Sequence, residues 1–345
     1  MKFTLRTLPI TILCVSVACV AALAQVQPSP SGRVRPRGFG RPTSRMKVQT
    51  MGPAKDQAQT PDAPSYTYTL LSFPGTFSTL ATGINPGAIT AKTEIVGGYG
   101  PDVDFTQGGF LVKVSGTKTF SETYQAVNYP HAPPNQVAAG VNDLGQIVGT
   151  YVDGSGVGHG YEKSGGTFIK LNVPFAGATG TFPQGINNSG EVVGCWADSA
   201  GNSHGFTLIG TTYASFDYPG GTQTCAFDIN NAGDIVGDYY DASGVGDSFL
   251  LSGGTYSSFA VPGAVETDAS GINDAGDIVG TYCTTSECIP KFDGAQGFLL
   301  SGGVFTTFAI PGEIYTAVTD INNNGVLVGY YQDTAGVVVG FLATP

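Results

Sequence analysis

Polar and apolar residues partly alternate over short stretches, and turn-forming residues interrupt those stretches at regular spacing. Between residues 255 and 300 the pattern is clear: Thr255–Val261, Thr267–Asn273, Asp277–Tyr282 and Gly297–Leu300 are rich in β-branched, aromatic or small residues. Each is bounded by Pro-Gly, Asn-Asp or Ser-Gly-Gly. Short alternating runs between such punctuation predict antiparallel strands joined in sequence order. After residue 65 no segment sustains the 3.6-residue period of an amphipathic helix. The predicted class is all-β.

One phrase returns six times: Asn after Ile or Val, then a Val-Gly pair followed by an aromatic residue. Its Asn falls at positions 85, 142, 187, 230, 273 and 322, giving intervals of 57, 45, 43, 43 and 49. Repeats of this length accommodate four strands, the unit of a propeller blade. Six such repeats of about 43–57 residues across 66–345 predict a six-bladed β-propeller. The first repeat opens with a strand from Tyr66 and the last ends with one at Gly340–Ala343. Pairing these two would build one blade from both ends and remove the exposed edges of an open sheet. The innermost strand of each blade is the one ending in Gly-Ile-Asn, whose small side chains suit a crowded axis.

In five repeats Gly follows the Asn by three positions: Asn142 and Gly145, Asn187 and Gly190, Asn230 and Gly233, Asn273 and Gly276, Asn322 and Gly325. This is the signature of a type I turn with a glycine at positive φ. The acidic stretch Asn273–Asp277 also invites comparison with a calcium loop. It lacks the 12-residue span and distal Glu of an EF-hand, so a turn is predicted.

The N-terminus reads differently. Lys2 and Arg6 precede an apolar run from Leu8 to Leu23 and the small-residue site Ala22-Leu23-Ala24. This is the layout of a secretory signal peptide over 1–24, and the run is short of the roughly 20 residues that span a bilayer. Residues 25–65 are rich in Pro, Gly and basic side chains, among them Arg33, Arg35, Arg37, Arg41, Arg45 and Lys47. Such a segment is expected to be a disordered linker, with contact to an anionic envelope as its alternative role.

The net charge of −11 conceals an asymmetry. Residues 1–65 hold 9 of 15 basic and 2 of 26 acidic side chains, leaving 6 and 24 for the repeats, a net of −18. Charge of this sign repels phosphate backbones and argues against nucleic acid as a partner. It leaves carboxylates available for a cation such as calcium. Cys195, Cys225, Cys283 and Cys288 remain once Cys14 and Cys19 depart with the signal peptide. An even number in an exported chain predicts two disulfides, Cys283 with Cys288 in one loop and Cys195 with Cys225 between neighbouring repeats. No C-x-x-C pair or nearby His supports zinc. The expected location is secreted or cell-surface, extracellular or periplasmic.

His159-Gly160-Tyr161 and His204-Gly205-Phe206, with the Gly-Ile-Asn, Ile-Val-Gly-x-Tyr and Gly-Phe-Leu-x-Ser-Gly-Gly phrases, resemble the bacterial extracellular HAF-repeat family over about 66–345. The resemblance implies secretion and a propeller-like repeat, and no settled activity. The name-giving His is replaced at Gly108, Asp247, Gln296 and Val339. That argues against a catalytic or metal-binding role for it.

Two sets of residues are candidates for binding. An aromatic follows Val-Gly in every copy, namely Tyr99, Tyr151, Trp196, Tyr239, Tyr282 and Tyr331, and four copies add Asp153, Asp198, Asp241 and Asp333 two residues later. Aromatic faces stack on sugars and carboxylates bond hydroxyls; the alternative is packing between blades, with each Asp opening a turn. The second set is Asp228 and Asp320, replacing a recurrent inner-strand glycine, and Asp268 on an inner strand. Near an axis these carboxylates would hold a cation, act as an acid and base pair, or simply be solvated. No G-x-S-x-G, H-E-x-x-H or phosphate-cradling loop is present. The expectation is a non-catalytic propeller binding an extracellular glycan or protein through its variable loops. The alternatives are a polysaccharide hydrolase or lyase and a structural cell-surface protein.

Overall fold

The computed structural model describes residues 48–50, 65–87, 93–101, 107–115, 121–285, 288 and 293–345. The stretch 1–24 read as a signal peptide and most of the 25–65 stretch read as a linker lie outside these residues. Two N-terminal strands, β1 (Val48–Thr50) and β2 (Thr67–Leu71), are followed by five four-stranded antiparallel blades. Blade one holds β3 (Ser78–Ile84), β4 (Thr93–Gly100), β5 (Gly108–Ser115) and β6 (Ser121–Val127). Blade two holds β7 (Gln136–Val141), β8 (Ile147–Val152), β9 (Gly158–Ser164) and β10 (Thr167–Leu171), and blade three β11 (Gly180–Ile186), β12 (Val192–Ala197), β13 (Ser203–Ile209) and β14 (Thr212–Phe216). Blade four comprises β15 (Gln223–Ile229), β16 (Ile235–Tyr240), β17 (Gly246–Ser252) and β18 (Thr255–Phe259). Blade five comprises β19 (Glu266–Ile272), β20 (Ile278–Cys283), β21 (Gln296–Ser301) and β22 (Val304–Phe308).

The sixth blade closes the ring. Its inner strands β23 (Tyr315–Ile321), β24 (Leu327–Gln332) and β25 (Val338–Thr344) come from the C-terminus, and β2 supplies the fourth. β2 runs antiparallel to β25 in the register Thr67 to Thr344 through Leu71 to Gly340. The chain is thus the predicted six-bladed propeller, closed by its own two ends. β1, from within the stretch expected to be a disordered linker, pairs with the outer edge of β2.

The recurring phrases have packing causes. The aromatic of the third strand, Phe110, Tyr161, Phe206, Phe249, Phe298 or Phe341, is at most 1% exposed and fills the centre of its blade. Opposite it stands the glycine of Val-Gly. A Cβ at Gly97 would sit 2.7 Å from the Phe110 ring, and one at Gly280 2.7 Å from the Phe298 ring. Any larger residue there would displace the core ring, which close-packed interiors do not tolerate cheaply. Valines and isoleucines of the second strand then cover the next blade; Val148 packs with Val192 and Phe206.

At the axis every inner pair carries a register shift at one position, between Ala81 and Gly83, Ala138 and Gly140, Pro183 and Gly185, Ala226 and Asp228, Ala269 and Gly271, and Val318 and Asp320. These bulges turn six strands toward one another. A Cβ at Gly83 would meet the Ala139 carbonyl at 2.6 Å, and one at Gly140 the Gln184 carbonyl at 2.6 Å. Both expected disulfides are present: Cys195–Cys225 joins β12 to β15 across two blades, and Cys283–Cys288 closes one loop. They are compatible with an oxidising compartment.

Candidate functional site

The connections of the blades sort onto two faces of the disc. First-to-second and third-to-fourth strand turns share one face. Second-to-third loops and the interblade linkers share the other.

The turn face is occupied by structure. In the second repeat the Asn142 carbonyl accepts the Gly145 N–H at 3.0 Å, with Gly145 at φ 71°, the predicted turn. Asn142 Oδ1 accepts the N–H groups of Leu144 and Gln146 at 3.1 and 3.0 Å. Its Nδ2 donates to the Asn187 carbonyl of the next blade at 2.9 Å. Asn187, Asn230, Asn273 and Asn322 repeat this bond, to Asn230, Asn273, Asn322 and Gly87 in turn. The residues that follow form a second ring: Asn188 Nδ2 donates to Asp143, and Asn231 and Asn323 both donate to Asp274. Asp274 is therefore committed to amide donors; although burial pushes it up, bonds from Asn231 and Asn323 leave it below its ordinary range. The Asn273–Asp277 stretch is a turn and an interblade clasp.

The loop face uses the same device with Asp in place of Asn. Asp153, Asp198, Asp241 and Asp333 each accept a carbonyl-directed N–H from the glycine three positions on, Gly156, Gly201, Gly244 and Gly336. Each Oδ1 also takes two loop N–H groups, as from Ser155 and Val157 to Asp153 at 2.8 and 3.0 Å. Bonds from the Ser155 hydroxyl, His159 and Val157 hold Asp153 well below the usual carboxylate range. In two blades the second oxygen faces His. His159 Nε2 lies 2.9 Å from Asp153 and its Nδ1 3.3 Å from Asn172. His204 lies between Asp198 at 3.5 Å and Asp217 at 2.9 Å, stacked on Trp196 at 4.5 Å. Asp217 was not singled out from the sequence because its partner lies 13 residues away on another strand.

The aromatic set follows the packing alternative. Tyr99, Tyr151, Trp196, Tyr282 and Tyr331 are buried and Tyr239 is half-buried. Tyr99 stacks on Phe73 at 3.9 Å, Tyr151 on Tyr129 at 4.3 Å and Tyr239 on Tyr218 at 3.6 Å, each pairing with the linker that enters its own blade. Trp196 Nε1 donates to Ser215, and the Tyr282 hydroxyl to Gln296. These rings spend much of their surface on packing within the blades rather than on the loop face. The loop face exposes polar tips such as Ser155, Ser199, Asn202 and Ser243 and also three apolar side chains: Phe77 is 55%, Val245 48% and Val265 45% exposed. Phe77 borders an open depression of about 320 Å³ lined also by Gly75, Thr76, Gly100, Pro101 and Gln107.

The three inner-strand aspartates part company. Asp228 and Asp320 line a narrow axial cavity of about 30 Å³ that reaches toward the turn face, where Asn230, Asn273, Asp274 and Asn323 border it. Asp228 Oδ2 accepts the Ile272 N–H at 2.9 Å, and Asp320 Oδ2 the Ile84 N–H at 2.8 Å. Burial raises both carboxyls above their ordinary range, and the charge of Asp228 adds to the rise at Asp320. A space of this size takes a single water, far below the roughly 300 Å³ of an organic ligand pocket. No glycosidic bond can reach this pair. Asp268 does not join them; its charged neighbours are Glu266 and Asp238, burial raises it, and its Oδ1 has no hydrogen-bond partner. Among the described residues no three His, Cys, Asp or Glu side chains converge on a common metal position.

No family model and no curated protein matches the chain. Solved structures do. A Trypanosoma rangeli sialidase in complex with the inhibitor DANA aligns over 78% of this chain and 55% of that one, with a TM-score of 0.52 and 10% identity. The six-bladed β-propeller lectin of Aleuria aurantia, whose structure shows fucose recognition, aligns over 77% and 91%, with a TM-score of 0.48 and 11% identity. TolB from Acinetobacter baumannii aligns over 79% and 65%, at 0.47 and 13%. The chain spans about half the sialidase's length. At these identities the likeness is one of fold, and the fold is that of a six-bladed β-propeller.

Proposed function

We propose that this chain is an exported, non-catalytic propeller of the HAF-repeat kind that binds an extracellular glycan or protein through its loop face. One observation carries the proposal: four loops of like geometry, fixed by Asp153, Asp198, Asp241 and Asp333, present different side chains on one face. Rigid supports with varied tips suit recognition, because loops already ordered lose little entropy on binding. Exposed Phe77, Val245 and Val265 on that face add apolar contact, while the turn face spends its polar groups on joining blades. Against a hydrolase stands the narrowness of the only axial carboxylate pair among the described residues.

A thermal-shift screen of the purified protein against plant and microbial glycan fragments tests this. The expected result is a saturable shift with one glycan class, lost in Phe77→Ser or His204→Ala variants that melt normally without ligand. If no glycan shifts the melt, the protein-partner form is tested by cross-linking through cysteines placed at Ala242 and Thr334 on the loop tips. Turnover of any fragment would overturn the non-catalytic reading.

A further inference from the structure

Gln184 stands where the other inner strands carry Thr82, Ala139, Phe227, Ser270 and Thr319. Its side chain lines the axial cavity and is 9% exposed, and its buried Nε2 makes no hydrogen bond. Native structures rarely leave a buried amide without a partner, and such a group points to something that occupies the space beside it. Asp228 and Asp320 reach the same cavity, whose lining contains no Lys, Arg or His. Their Oδ2 atoms are fixed by the Ile272 and Ile84 N–H groups, which hold both carboxylates at the axis. Nothing fixes which end of the Gln184 amide faces inward, and the rotated amide presents a carbonyl oxygen. The hydroxyl residues Ser270 and Thr82 also line the space. The donor set is all oxygen and includes no cationic side chain; burial and the hydrogen bond between the two carboxyls favour a proton there, which a bound cation would displace.

We propose that the axial cavity binds a single hard divalent cation of the calcium class, held by the Asp228 and Asp320 carboxylates and the Gln184 amide oxygen. Hydroxyls and water complete the shell, as calcium's preference for six to eight oxygens at 2.3–2.6 Å requires. The volume of about 30 Å³ admits one ion and rejects anything larger. Only two of the ligands are carboxylates, so the site is weakly charged beside an EF-hand and suits the millimolar calcium outside cells. Bound there, the ion ties β11, β15 and β23 together across the axis.

The test is isothermal titration of CaCl₂, and of MgCl₂ for comparison, into the purified protein stripped with EDTA, with thermal melts alongside. One saturable calcium site is expected, with a melting rise of about 5 °C when calcium exceeds its Kd a hundredfold. Asp228→Asn with Asp320→Asn should abolish both signals. Gln184→Leu, which keeps the carboxylates, should weaken binding at least tenfold and serves if the double variant does not fold. Absence of saturable heat and of any melting shift at about 10 mM cation, above the range of extracellular calcium modules, overturns the proposal. So does an undiminished signal in the variants, which would place the ion on the acidic surface and leave water in the cavity.

Discussion

Replacing Asn187 by Ala tests whether the repeated Asn is a clasp between blades. The change removes four hydrogen bonds: Oδ1 from Ser189 and Glu191 N–H at 3.0 Å each, and Nδ2 to Glu191 Oε2 at 3.0 Å and to the Asn230 carbonyl at 3.2 Å. At a net of about 1 kcal/mol per bond the ceiling is about 4 kcal/mol. Water can replace the partner of exposed Ser189, whereas the bond to the Asn230 carbonyl is buried and its loss is not made good. The working figure is therefore about 3 kcal/mol. With about 2 °C per kcal/mol for a domain of this size, the melting temperature should fall by about 6 °C. Asn187→Asp keeps the Oδ1 contacts but sets a carboxylate oxygen against the Asn230 carbonyl and the Glu191 carboxylate, and should lose at least as much at neutral pH. Ser189→Ala, on the same turn and exposed, should change stability by less than about 0.5 kcal/mol. Circular dichroism melts of the three variants decide the matter. A loss below about 1 kcal/mol in Asn187→Ala would refute the clasp and reduce the motif to a local turn.

Two further outcomes follow from the interblade contacts. Removing the Cys195–Cys225 disulfide, which closes a separation of 30 residues, should cost about 3–4 kcal/mol, and removing Cys283–Cys288, with a separation of 5, about 2 kcal/mol; paired Cys→Ala variants with equal melting losses would contradict the loop-length argument. Asp268→Asn should stabilise the protein at pH 7 and not at pH 3, both within reach of calorimetry. Burial raises the folded-state carboxyl of Asp268, so the unfolded chain ionises first as pH climbs through the ordinary carboxylate range of about 4. Stability is lost over that rise, up to the folded-state value, and the amide avoids the loss; an identical gain at both pH values would show that the carboxyl is not shifted.

The all-β class, the six blades and the turns at Asn142 or Asn187 were legible from sequence because each rests on local pattern, and the closure of β2 on β25 followed from the phase of that pattern at the two ends of the repeat array. Alternation with period two, a turn residue three before Gly and a recurrent spacing are properties of neighbouring residues. Even the disulfides could be anticipated, Cys195–Cys225 from placement in adjacent repeats and Cys283–Cys288 from closeness within one loop. What the pattern does not carry is the destination of a side chain once strands from different repeats meet. Cys225 and Asp268 hold equivalent inner-strand positions, each opposite the second strand of the preceding blade. One meets Cys195 and is bonded; the other meets Asp238 and remains a buried acid. Asp228 and Asp320, 92 residues apart, reach one cavity only because the ring closes, and Gln184 becomes notable only once that cavity is known to surround it. For the aromatic repeat the sequence left stacking platforms and blade packing both open, because alternation assigns a residue to one face of its sheet but not to solvent; in a ring of blades both faces of a sheet are buried against neighbours, and packing won. Local chemistry determined the parts and their number; long-range packing decided which polar groups were left facing a space that something else can fill.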